Sequence, residues 1–130
     1  MCINQLTNIK SIAGAVYAFA ALKEDGTVVT WGDSRFGGSS NSVADQLTGI
    51  QSISATGLAF AALKVDGTVV TWGDATSGGD SSSVASQLTQ VKSITGNGRA
   101  FAAVKEDGTV VVWGGSAHGA YMQDTTGLQP

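Results

Sequence analysis

Cysteine, proline and histidine occur once each in this 130-residue chain. Cys2 therefore has no partner for an internal disulfide, and with His118 as the single imidazole no cysteine-rich zinc site can be assembled. The single proline, Pro130, stands at the very end of the sequence. Charge is also scarce, at 13% of residues with a net value of -3, and the seven basic residues are spread along the chain. That distribution lacks the clustered positive footprint of a nucleic-acid binder. No apolar run approaches the roughly 20 residues of a membrane-spanning helix. Residues 1–12 lack the basic start, apolar stretch and small-residue cleavage site of a secretory signal, so neither membrane nor leader is expected.

Glycine, by contrast, is abundant, with 18 residues, and its positions repeat. AFAALKEDGTVVTWGD at 18–33 returns as AFAALKVDGTVVTWGD at 59–74 and AFAAVKEDGTVVVWGG at 100–115. Trp31, Trp72 and Trp113 are each 41 residues apart, as are Asp25, Asp66 and Asp107. The whole chain, 1–130, then reads as one repeat domain with units at 5–45, 46–86 and 87–127, the first two identical at 27 of 41 positions. A unit of this size cannot bury a core alone and must stack on its neighbours.

Within a unit, IKSIAG (9–14), YAFAALK (17–23) and TVVTWG (27–32) read as strands, with a weaker fourth around SVADQL (42–47). Asp25-Gly26 is the strongest hairpin signal and predicts a two-residue type I′ turn. Both faces of the second and third strands are largely apolar, which calls for cover on both sides. Helical 3.6-residue periodicity is absent. The expectation is an all-β chain of three four-stranded propeller blades, half of a six-bladed ring completed by homodimerisation through head-to-tail contact.

The string IKSIAGAVYAFAALKEDGTVVTWGDSRFGG and its echoes resemble the repeat of the regulator of chromosome condensation family: a Val/Ile strand, Ala-Gly, a short loop, a small-residue strand ending in Ala-Leu, Asp-Gly, a Val strand, Trp-Gly and a Gly-rich turn. The resemblance spans all three units and, in repeat length, is nearest to bacterial members, among them the propeller-type β-lactamase inhibitory proteins. It implies β-propeller blades, usually seven to a ring. Three units are too few for that ring, and Ala18, Ala59 and Ala100 stand where eukaryotic repeats commonly carry His. No extended loop is present to act as the wedge of nucleotide exchange, so that activity is not implied.

No catalytic constellation emerges. Asp25, Asp66 and Asp107 belong to turns, and SRFGGSS (34–40) is not followed by the Lys-Ser/Thr of a phosphate-binding loop. A non-enzymatic protein without cofactor or metal is expected. The repeats differ mainly at two loops, 13–17, 54–58 and 95–99 between the first two strands, and 33–41, 74–82 and 115–123 after the third. Alternating strand direction brings both loops to one end and the Asp-Gly hairpins to the other. Variable loops on a repeated scaffold are where recognition concentrates. Tyr17, Leu58 and Arg99 share one place in the first loop, and Phe36, His118 and Tyr121 extend the surface from the second. The resemblance to the inhibitory propellers implies that aromatic residues at the place of Tyr17 touch a partner. A protein partner suits these aromatic and Arg side chains. The alternatives are a lectin-like, sugar-binding propeller, disfavoured because repeated saccharide pockets should repeat their ligating residues, or an excised piece of a larger propeller protein.

Overall fold

A computed structural model describes residues 8–114. Nine strands form three antiparallel sheets, each a sequential meander. They are β1 (Ile9–Gly14), β2 (Ala18–Lys23) and β3 (Val28–Gly32); β4 (Ile50–Ala55), β5 (Ala59–Lys64) and β6 (Val69–Gly73); and β7 (Val91–Gly96), β8 (Ala100–Lys105) and β9 (Val110–Gly114). No α-helix occurs among the described residues. The register pairs Phe19 with Trp31 and Ala21 with Val29 across β2 and β3, and the same pairs recur as Phe60–Trp72 and Phe101–Trp113.

The two-residue alternation of strands assigns each sheet a large face and a small face. Phe60 and Trp72 lie on one side of the second sheet; Ala59, Ala61 and Leu63 lie on the other. The small face of the first sheet (Ala18, Ala20, Leu22) packs against Phe60, Ala62 and Trp72. The small face of the second packs against Phe101, Ala103 and Trp113 in the same way. Alanine in the central strand lets neighbouring sheets approach closely, and one Phe–Trp stack per sheet, with ring centroids 5.4–5.5 Å apart, fills the gap. The first strands of the three sheets lie side by side, and Ser54 Oγ of β4 donates to Ile94 O of β7 at 2.8 Å.

Two local expectations are corrected. The Asp-Gly hairpins are not type I′ turns, because only the glycine has positive φ: Gly26 +85°, Gly67 +87°, Gly108 +88°. Lys23 O accepts from Gly26 N–H at 3.0 Å and Lys23 N–H donates to Thr27 O at 2.9 Å, closing a three-residue loop, Glu24-Asp25-Gly26. The Asp side chain is diverted into that loop, where its Oδ1 accepts from Thr27 N–H (3.0 Å) and Thr27 Oγ1 (2.6 Å). The second correction concerns the segment read as a weaker fourth strand, which in the first two units is helical rather than extended. Residues Asn41–Gln46 and Ser82–Gln87 form 3₁₀ helices with i to i+3 bonds, such as Val43 N–H to Ser40 O at 3.0 Å. Val43 and Leu47 both pack into the core beneath the next sheet, as do Val84 and Leu88.

The hydroxyl and amide of Thr27 hold the Asp25 carboxyl below the usual carboxylate range; Thr68 and Thr109 do so for Asp66 and Asp107. A carboxylate whose folded-state pKa is depressed contributes stability that is complete above its unfolded value of about 3.9 and is lost as pH falls through the folded value. Stability should therefore decline below about pH 4. An Asp25→Asn, Asp66→Asn, Asp107→Asn chain, which keeps the accepting oxygen but cannot titrate, should show a flatter decline in urea titrations from pH 5 to 2.

Candidate protein-binding face

The loops joining the first two strands of each sheet are tied in series. Val16 N–H donates to Gly57 O at 2.8 Å, and Gly57 N–H to Gly98 O at 2.8 Å. This ladder places Tyr17, Leu58 and Arg99 in a row, one per repeat. The loop following the third strand is bound to the same end, because Asp33 N–H donates to Tyr17 O at 2.8 Å and Asp74 N–H to Leu58 O at 2.9 Å.

In the first repeat the two loops meet through side chains. The rings of Tyr17 and Phe36 are 5.4 Å apart at 36°, and the Arg35 guanidinium lies 5.1 Å from the Phe36 centroid. Asp33 fixes this arrangement: its carboxylate accepts from Arg35 N–H at 3.0 Å and from the guanidinium at 2.9 and 3.2 Å. The Arg35 side chain's hydrogen bonds hold the Asp33 carboxyl below its ordinary range, and Asp33 in turn raises the guanidinium. Tyr17 is 57% exposed, Phe36 half-buried and Val16 exposed. The result is a preorganised aromatic and cationic cluster open to solvent, with the cation–π contact worth about 0.5–1 kcal/mol at such a site.

The second repeat is built differently. Asp74 accepts from Thr76 Oγ1 and Ser77 Oγ, each at 3.0 Å, and Thr56 Oγ1 donates to Ser77 O at 2.7 Å, so its loop is polar and closed on itself. Leu58 is half-buried and Arg99 exposed. His118 and Tyr121 lie outside the described residues. Sequence reasoning missed Asp33, Arg35 and Val16; the signal was the Asp-x-Arg-Phe order, found in the first unit and replaced by Asp-x-Thr-Ser in the second. The turn carboxylates are committed to their threonines, and no group of three or more His, Cys, Asp and Glu side chains among the described residues is placed to hold a metal.

Sequential antiparallel sheets, stacked large face on small face with their first strands side by side, are β-propeller blades. Neither a family model nor a curated protein matches the chain. Solved structures share its fold. It is similar to human WBSCR16, at 22% identity and TM-score 0.59, over 82% of this chain and 34% of that one. It is similar at TM-score 0.61 and 22% identity to the structure of Kap60 bound to yeast RCC1 (Prp20), over 82% and 32% of the two chains. The receptor kinase CR4 ectodomain of Physcomitrella patens matches at 0.55 and 21%, over 82% and 30%. This chain thus spans about a third of the length of those it resembles.

Proposed function

We propose that this chain is a non-enzymatic propeller scaffold that recognises a protein partner through the face carrying Tyr17, Phe36, Leu58 and Arg99, and that copies join head to tail, two chains giving six blades. His118 and Tyr121 extend the recognition face by their place in the repeat. One observation carries the recognition reading: Arg35, Phe36 and Tyr17 form a fixed, exposed cluster on loops that differ between repeats, whereas the opposite hairpins are repeated almost unchanged. Preorganised aromatic and Arg anchors are the groups that dominate protein–protein affinity. Among the structures of similar fold, one is of RCC1 with Kap60 bound, and another concerns binding of Prp20p to Gsp1p and histones.

Changing Tyr17, Leu58 and Arg99 together to Ala should leave folding within about 0.5 kcal/mol per site, because these are loop positions outside the cores. Protein captured by the wild type should be lost from, or retained at least tenfold less by, the triple variant of equal stability. Equal capture by both would place recognition elsewhere, and selective binding on a glycan array would favour the saccharide reading.

A further inference from the structure

The two ends of the arc are complementary halves of a contact that the chain already makes twice. Phe60 and Phe101 are 0% and 1% exposed, but Phe19 at the same place in the first sheet is 45% exposed, and Ile12 on its face is 59% exposed. On the small faces, Leu22 and Leu63 are buried, whereas Val104 is 36% exposed and Ala102 is half-buried where Ala20 and Ala61 are fully covered. Among the described residues no small face covers the first sheet and no large face covers the third.

Hydrogen bonds at the two internal junctions end in the same complementary way. Trp72 Nε1–H donates to Gly37 O at 3.2 Å and Trp113 Nε1–H to Gly78 O at 3.1 Å, each from one blade to the loop of the blade before. Trp31 has no such acceptor among the described residues; the corresponding position of the third repeat is Gly119, outside them. Ile50 N–H donates to Gly26 O and Val91 N–H to Gly67 O, at 3.0 and 2.9 Å. Gly108 O is the next acceptor in that series, and Ile9 N–H is its first donor. The loop ladder stops at Gly98 N–H, with Val16 O as the matching acceptor.

We infer that a second copy of this chain supplies the missing half at each end, reproducing the internal junction: the second copy's Phe19 and Trp31 seat on Ala102 and Val104, Gly98 N–H meets the second copy's Val16 O, and its Ile9 N–H meets Gly108 O. This rests on the head-to-tail reading above and adds its register. The contact is between two different faces, so it propagates until it closes, and two copies close it through two equal seams. In sequence the third repeat is more apolar here: Thr30 and Thr71, hydrogen-bonded to Ser40 and Ser81 at 3.2 and 3.0 Å, are replaced by Val112.

Two variants test the seam, each charged on one end only. Phe19→Asp alters the exposed large face and Ala102→Asp the open small face, and circular dichroism confirms that each keeps its β spectrum. By light scattering the wild type should have a mass of about 26 kDa, twice the chain mass of 13.1 kDa, and each variant alone should fall to the single-chain value. Mixed in equal amounts, the variants share one intact seam, the small face of the first on the large face of the second, while the other seam carries both aspartates, so the mixture should associate more tightly than either variant alone and more weakly than the wild type. Association of the wild type that neither variant disturbs, or a mixture that associates no better across the dilution series than either variant alone, overturns the seam while leaving self-association standing. A wild type that is monomeric at every concentration overturns both. Should Ala102→Asp unfold, Val104→Asp takes its place on the same face.

Discussion

Alanine at position 60 should cost the fold about 3–5 kcal/mol, among the largest effects of any single substitution in the chain. Phe60 is fully buried, stacked on Trp72 with ring centroids 5.5 Å apart, and closed over by Ala18, Ala20 and Leu22 of the preceding sheet. Removing the ring loses its transfer free energy and opens a cavity that two rigid sheets cannot collapse into. The same substitution at position 19 has the same chemistry and the same intrablade partner, Trp31 at 5.4 Å, but a side chain already 45% exposed. In the dilute single chain Phe19→Ala should cost no more than about 1 kcal/mol. Urea unfolding of both variants, at concentrations where mass measurements show one chain, checks the contrast; equal losses would mean that burial between sheets is not what stabilises them.

Gly37→Ala should be nearly as damaging although it adds only one carbon. Gly37 has φ +100°, and a Cβ built there would lie 2.5 Å from two ring carbons of Phe60. An L-residue in the left-handed region costs about 1–2 kcal/mol, and forcing the ring aside adds about 1–3 kcal/mol of overpacking. Its carbonyl also receives the Trp72 indole N–H, so a shift of the loop breaks that bond as well. Gly108→Ala separates the two penalties: φ is +88° there, yet nothing lies within 4 Å of the added carbon, so strain alone remains. Unfolding midpoints should rank wild type, Gly108→Ala, Gly37→Ala in falling order, with intrinsic Trp fluorescence reporting the loosened Trp72; the reverse order would remove the clash from the account.

Much of this architecture was legible because the repeat supplies its own alignment. The spacing of Trp31, Trp72 and Trp113 gave the period, and the alternation through Phe19, Ala21, Val29 and Trp31 gave the strands to within one residue at their ends. The 3₁₀ segments were misread because SVADQL holds apolar residues at Val43 and Leu47, a spacing whose meaning depends on the next sheet being there to receive both. The hairpins were misread because Asp-Gly is favoured both as a two-residue turn and as the last two positions of a three-residue loop, and the choice is made by the bonds of Thr27. At the candidate site, variability between copies pointed to Tyr17 and Phe36, whose rings the fold brings together. Arg35 was not, because its position depends on a salt bridge to Asp33 and a ring contact that only the folded loop creates. Which face packs on which could not be read from one unit, both being apolar.

The ladder from Val16 through Gly57 to Gly98 and the two face-to-face cores share one property: no contact skips a neighbour. The cooperativity of the molecule is therefore that of a short linear chain of coupled units rather than of a single core. In the single chain, opening either outer blade severs one junction and opening the middle blade severs two, so unfolding should proceed by fraying from the ends inward, with the β4–β6 sheet the last to be exposed.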